Sequence, residues 1–271
     1  MRIAIGRVLV LALLVVPALF GAKLSVTVFD EKTGEPVKGL TAADFAVTDG
    51  DLTLTVESAE PAKDLLDVML LVDSSFISDA IRPLVHPMIQ GMPEGAQMAL
   101  VAFDQAATLM QDFTNSKSQL TSANQKVRQG NNPRVMDALY AVLDDGFSNS
   151  PGRRVAMMLS SGVEGNSRIR LPEIVAMAQQ RNVAVFIAYA DGLDAGLFEK
   201  LAEQTGGAWF HLKKLKLNPL ASAQLIHRTL ADGTYLLDVN GVDRFGDRLK
   251  VEIPRLAKSK MKVVATARVI E

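Results

Sequence analysis

The sequence predicts an α/β fold: a doubly wound, mainly parallel sheet flanked by helices, with a small β unit built from the N- and C-terminal strands. Three observations predict it. Between residues 66 and 212, short apolar runs alternate with stretches of helical spacing. Strands that are apolar on both faces and separated by helices belong in a mainly parallel sheet covered on both sides. Before and after that region the pattern changes to strict alternation of apolar and polar residues, the two-residue period of a half-buried strand.

The elements follow in order. Leu24, Val26 and Val28 alternate with Ser25 and Thr27, and Asp30-Glu31-Lys32-Thr33-Gly34 reads as a turn. Thr41-Ala42-Ala43-Asp44 has the cap and first-turn acid of a single helical turn. Leu52, Leu54 and Val56 alternate again. The apolar runs are Asp67 to Val72, Met98 to Phe103, Val155 to Leu159, Val183 to Tyr189 and Ala208 to Leu212. Helical spacing fills Ile81 to Ile89, Val135 to Leu143, Ile174 to Gln180 and Leu197 to Thr205. Gly206-Gly207 is a helix stop ahead of the last run. Residues 219 to 231 read as one more helix. After Gly233 alternation returns at Tyr235, Leu237 and Val239, at Leu249, Val251 and Ile253, and over Met261 to Val269. The expected organisation is a signal peptide at 1–22 and a β segment at 23–62. An α/β domain at 63–215 follows, then a final helix and β segment at 216–271.

Composition narrows the function. The chain has 271 residues, 48% of them apolar, with a formal charge of −1, which suits one large domain plus a small one. Near-neutral charge without a long basic run argues against a nucleic-acid partner. Lys258-Ser259-Lys260-Met261-Lys262 is short and reads as a solvated turn. There are no cysteines, which excludes disulfides, thiolate metal sites, a Cys nucleophile and a lipidated N-terminal Cys. At the N-terminus, Arg2 and Arg7 precede an uncharged apolar core from Val8 to Phe20, and small residues follow at Gly21 and Ala22. A bilayer span needs about 20 apolar residues, so this core predicts a cleaved export signal. The expected location is periplasmic or secreted, without a membrane after cleavage; an uncleaved N-terminal anchor is the alternative.

Asp73-Ser74-Ser75-Phe76-Ile77-Ser78 directly follows the apolar run Val68-Met69-Leu70-Leu71-Val72. Asn131-Asn132-Pro133-Arg134-Val135-Met136 leads into Asp137-Ala138-Leu139-Tyr140, and Met158-Leu159 leads into Ser160-Ser161-Gly162. Lys38-Gly39-Leu40-Thr41-Ala42-Ala43-Asp44-Phe45 precedes them. These pieces resemble the von Willebrand factor type A family, in a bacterial exported subgroup. The resemblance implies a divalent-cation site built from Asp-x-Ser-x-Ser plus a Thr and an Asp on two later loops. Asp73 and Ser75 match the first two positions. Ile77 stands at the third, Pro133 at the Thr position and Ser161 at the Asp position, so the implied site is degenerate. Arg134 adds positive charge beside it, and Glu164 is close enough in sequence to compensate in part.

One carboxylate and one or two hydroxyls remain where the family pattern offers two carboxylates and three hydroxyls. Mg²⁺ sheds its waters reluctantly, so no cofactor is expected; weak Mg²⁺ binding at a vestigial Asp73/Ser75 site stays open. For Asp73 a second reading also stays open, a carboxylate capping a helix that starts at Ser78 to Ala80.

The predicted function is a non-enzymatic module for a protein partner. Its docking loops would carry Ser74, Ser78, Asn132, Arg134, Ser160, Ser161 and Glu164. A Mg²⁺-dependent adhesion protein and a hydrolase with an unrecognised site are the alternatives. The sequence has no Gly-x-Ser-x-Gly elbow, P-loop or Gly-x-Gly-x-x-Gly run. His86, His211 and His227 lie far apart. Met157, Met158, Trp209 and Phe210 read as packing residues.

Overall fold

A computed structural model describes residues 21–240 and 248–270. The expected signal segment therefore lies outside the described residues, except for Gly21 and Ala22, which open the first strand.

The elements, in chain order, are β1 (Gly21–Asp30), β2 (Ala46–Asp49), β3 (Leu52–Pro61), β4 (Leu66–Asp73), α1 (Arg82–Gln90), β5 (Gln97–Phe103), β6 (Ala107–Thr114), α2 (Lys117–Asn124), α3 (Val135–Asp145) and β7 (Arg153–Ser160). They continue with α4 (Leu171–Gln180), β8 (Val183–Tyr189), α5 (Ala195–Gln204), β9 (Trp209–His211), α6 (Leu212–Leu215), α7 (Pro219–Asp232), β10 (Thr234–Asn240), β11 (Leu249–Glu252) and β12 (Val263–Ile270). A 3₁₀ turn at Ala42–Asp44 sits where the sequence predicts a helical turn, and Asp44 Oδ2 accepts from the Thr41 N–H at 2.7 Å.

The central sheet runs β6-β5-β4-β7-β8-β9. Every pairing in it is parallel except β5 with β6. Alternation along β4 feeds two cores. Val68, Leu70 and Val72 pack with Leu84, Met88 and Ile226 on the face of α1 and α7. Met69 and Leu71 pack with Leu139, Ile174 and Phe198 on the face of α3, α4 and α5. A strand that buries both faces needs apolar residues at every position, which is why these runs are unbroken in the sequence.

The ends of the chain form a second sheet, β11-β2-β3-β10-β1-β12, with antiparallel pairing throughout. β1 lies between β10 and β12, so the N- and C-terminal strands do build one unit. Its outer core holds Leu24, Val26, Val28, Tyr235 and Leu237.

Two expectations are corrected. The alternation of Leu24 to Val28 predicted a strand with one wet face, yet Ser25 and Thr27 are buried as well. Their face packs on the α/β layer: Thr27 Oγ1 donates to Gly206 O at 2.8 Å and Thr266 Oγ1 to Gly207 O at 2.6 Å. Hydroxyls satisfied by backbone carbonyls can be buried without penalty. Second, the run Ala208 to Leu212 yields only a three-residue strand, β9, because Leu212 opens α6. β6 and α2 add an antiparallel edge and its helix, which the runs do not announce. Among the described residues no helix is long and apolar enough to cross a membrane.

Candidate functional site

From β4 the chain first moves outward to β5, then returns to lay β7 on the other side of β4. At such a reversal the loops leaving the carboxyl ends of neighbouring strands diverge and leave a crevice. The loops after β4 and β7 meet there, and Asp73 is the last residue of β4.

Asp73 is completely buried. Its Oδ1 accepts from the Ser75 backbone N–H at 2.9 Å, and its Oδ2 from the Ser161 backbone N–H at 2.9 Å. The carboxylate thus turns its own loop and ties it to the loop after β7. It does not cap the following helix. α1 begins only at Arg82, with Ile81 at its N-cap and no side-chain cap bond. The helix-cap reading of Asp73 is therefore wrong: the intervening turn is closed by Ser78, whose Oγ donates to Ser75 O at 2.6 Å.

The remaining candidates divide by depth. Ser74, Ser75, Ser78, Ser160 and Ser161 are all buried. Ser74 Oγ donates to Phe103 O at 3.0 Å, and Ser160 Oγ accepts from the Gly162 N–H at 3.0 Å. Ser75 Oγ and Ser161 Oγ, flanking Asp73, have no protein partner. Asn132 is exposed, Arg134 and Glu164 are half-buried, and Pro133 is buried. A Cβ at Gly165 would overlap Pro133 O, so the loop after β7 lies directly on the loop before α3.

Glu164 serves α3. Its Oε2 accepts from the Met136 N–H at 3.2 Å and its Oε1 from the Ser167 N–H at 2.7 Å. A carboxylate at a helix N-terminus satisfies unpaired N–H groups and complements the helix dipole. Asp137, in the first turn of α3, replies by accepting from the Arg168 and Ile169 N–H groups at 2.8 and 3.1 Å.

The sequence reading missed Asp104. It follows β5 as Asp73 ends β4, and its Oδ2 accepts from the Asn131 N–H at 2.8 Å, holding the loop that carries Asn132 and Arg134. The signal was the same one: an apolar run that ends in Asp. Also unread was the apolar rim. Phe76 is 55% exposed and Ile77 37% in the loop after β4, and Leu193 is 96% exposed in the loop after β8. Gly162 and Gly192 bring that last loop against the loop after β7, because a Cβ on Gly192 would overlap Gly162 O.

A dication fits these donors poorly. Both oxygens of Asp73 already accept backbone N–H groups, and Asp104 and Asp194 likewise hold loop amides. Glu164 is turned to α3. Pro133 and Ile77 offer no oxygen from their side chains. Among the described residues no three acidic, His or Cys side chains come together as a metal-ligand group. No histidine pairs with a serine among the described residues: His227 Nε2 bonds Met88 O at 2.9 Å and His211 Nδ1 accepts from the Lys214 N–H at 3.2 Å.

A sequence model of the von Willebrand factor type A domain matches residues 67–223, from the start of β4 into α7. The chain belongs to the von Willebrand factor type A domain family. Domains of this family are a type of protein-interaction module. Two solved structures, with TM-scores above 0.5, share the fold, and a third shows a weaker likeness. A von Willebrand factor type A protein from Catenulispora acidiphila has a TM-score of 0.53 at 12% identity, covering 80% of this chain and 50% of that one. Proximal thread matrix protein 1 from the mussel byssus, with a zinc-occupied MIDAS motif, has a TM-score of 0.51 at 15% identity, covering 71% of this chain and 50% of that one. An aerotolerance-related membrane protein from Bacteroides fragilis, 13% identical, has a TM-score of 0.47 and covers 61% of this chain and 98% of that one. No curated protein matches the sequence.

Proposed function

We propose that this von Willebrand factor type A domain is an exported, non-enzymatic interaction module that docks a protein partner without a bridging cation. The observation that carries the reading is the double engagement of Asp73 by the Ser75 and Ser161 amides. With the Asp73 carboxylate holding the loops together, the carboxyl edge offers a partner shape, apolar surface and Arg134. The Arg134 guanidinium is half-buried and makes no hydrogen bond or ion pair among the described residues. A guanidinium on the loop before α3, with exposed Phe76 and Ile77 on the loop after β4 and Leu193 on the loop after β8, suits a partner that presents both carboxylate and apolar side chains. Ser74, Ser78, Ser160 and Ser161 then shape the loops from beneath, while Asn132, Arg134 and Glu164 lie nearer the partner.

The test is a pull-down from the native cell envelope with the tagged domain, with and without chelator. Capture unchanged by chelator but lost in Arg134→Ala and in Leu193→Asp supports the reading. Capture abolished by chelator overturns it. Removal of residues 1–22, which the export reading requires, is checked by N-terminal sequencing of the mature chain.

A second reading rests on the two unpartnered hydroxyls. Ser75 Oγ and Ser161 Oγ flank a carboxylate, and a weakly held Mg²⁺ that kept most of its waters would satisfy both. Loss of capture with chelator, restored by Mg²⁺, would favour it.

A further inference from the structure

A cleft of about 390 Å³ opens where β9 meets the end sheet. Trp209 of β9 and Lys214 and Leu215 of α6 line it from the α/β layer. Lys32, on the turn after β1, and Lys262, just before β12, line it from the end sheet. None of these residues belongs to the docking loops. A volume of this size falls within the range of small-molecule sites, roughly 300–1,000 Å³.

Trp209 is held in place from the core side. Fully buried Phe29 meets its ring edge-on, with centroids 5.0 Å apart and planes at 90°. The indole is only half-buried, and its N–H has no acceptor among the described residues. With Leu215 it gives the cleft an apolar wall for a flat ring, which packs well offset or edge-on against an indole.

The lining carries three lysines and two glutamates, an excess of one positive charge. Both glutamates are engaged: Glu31 pairs with Lys262 at 2.5 Å, and Glu199 Oε1 accepts from Tyr189 OH at 2.5 Å. Lys32 and Lys214 are exposed and form no ion pair among the described residues. His211 also lines the cleft; burial, and then the Lys214 ammonium, lower its pKa from the usual 6.5, so it adds no charge near pH 7.

We propose that this cleft binds a small aromatic carboxylate, its ring against Trp209 and Leu215 and its anionic group drawn to Lys32 and Lys214. A monoanion matches the excess charge of the lining, and a flat apolar body matches the indole wall. Seated there, the ligand touches both layers at once and ties the turn after β1 to α6.

Trp209 is the single tryptophan of the chain, so its emission reports the cleft directly. The test is a titration of the full chain with benzoate at constant ionic strength, read by tryptophan emission, with acetate and benzylammonium in parallel. Benzoate should give a saturable change with half-saturation on the order of 1 mM, as suits a ligand of this size. Acetate, which lacks the ring, and benzylammonium, which reverses the charge, should give none. Lys32→Gln combined with Lys214→Gln should raise the benzoate half-saturation about fivefold. Lys216→Gln, at an exposed lysine outside the lining, should leave it unchanged. A linear response to benzoate without saturation, benzylammonium binding as tight as benzoate, or an unchanged half-saturation in the double variant would each overturn the proposal. Preference for benzylammonium would point instead to Glu31 and Glu199 as a cation site.

Discussion

Asp73 Oδ2 accepts the backbone N–H of Ser161 at 2.9 Å across the crevice between β4 and β7. An acid at the end of one strand therefore fastens the loop of its neighbour. Replacing Asp73 with Asn leaves one acceptor for two N–H groups and turns an amide N–H toward the other. Losing one charge-assisted bond and leaving one buried donor unpaired costs about 2–4 kcal/mol. Urea unfolding of Asp73→Asn should show that loss at an unchanged m-value, and it should be the same with and without Mg²⁺.

Glu164 holds the start of α3 by accepting from the Met136 N–H. Glu164→Ala removes that acceptor and the charge near the helix N-terminus, a loss of about 1–2 kcal/mol. The same unfolding experiment reads it. Glu164→Gln keeps an acceptor and should lose less.

Gly192 permits the loop after β8 to lie on Gly162. A methyl group there meets backbone, which cannot give way as a flexible side chain would. Gly192→Ala should destabilise by about 1–3 kcal/mol. It should also shift Leu193 and weaken partner capture at constant chelator.

His227 sets a pH dependence. Burial, the largest cause, lowers its pKa from the usual 6.5, and Nδ1 has no partner to receive a stabilising bond. The unfolded chain then holds the proton more readily than the folded one. The stability is present in full above about pH 6.5 and is lost as pH falls from there toward the lower folded value. The urea midpoint should drop between about pH 7.5 and about pH 5.5, and His227→Gln should flatten that drop. A drop of equal size in the variant would show that other groups cause it.

The donor set can be restored. Ile77→Ser, Pro133→Thr and Ser161→Asp together supply the oxygens that the family resemblance implies at these positions, while the residue 161 backbone N–H that binds Asp73 stays. The triple variant should gain saturable Mg²⁺ binding by calorimetry. Failure of a folded triple variant to bind would mean that the missing oxygens are not what limits the site.

The α/β layer was legible because its strands bury both faces, which leaves a simple mark: unbroken runs such as Val68 to Val72. β6 left no such mark. It is an edge strand, half wet along its length, and residues such as Gln111 and Asp112 interrupt any pattern. Ser25 and Thr27 misled for the opposite reason. They look like a solvent face, and the carbonyl that takes the buried Thr27 hydroxyl, Gly206 O, lies 179 residues later in the chain. At the site, the position of Asp73 was readable from its strand, but its partner was not. Glu164 could be placed near the crevice from its loop, but its bond to the N-terminus of α3 could not, because tertiary structure supplies that partner.

The most direct test of cation-free docking is isothermal titration of metal-stripped wild-type chain with Mg²⁺. No saturable heat is expected up to about 5 mM, because one carboxylate already engaged by two amides does not strip water from so small an ion. Binding tighter than about 1 mM that disappears in a folded Asp73→Asn variant would contradict it.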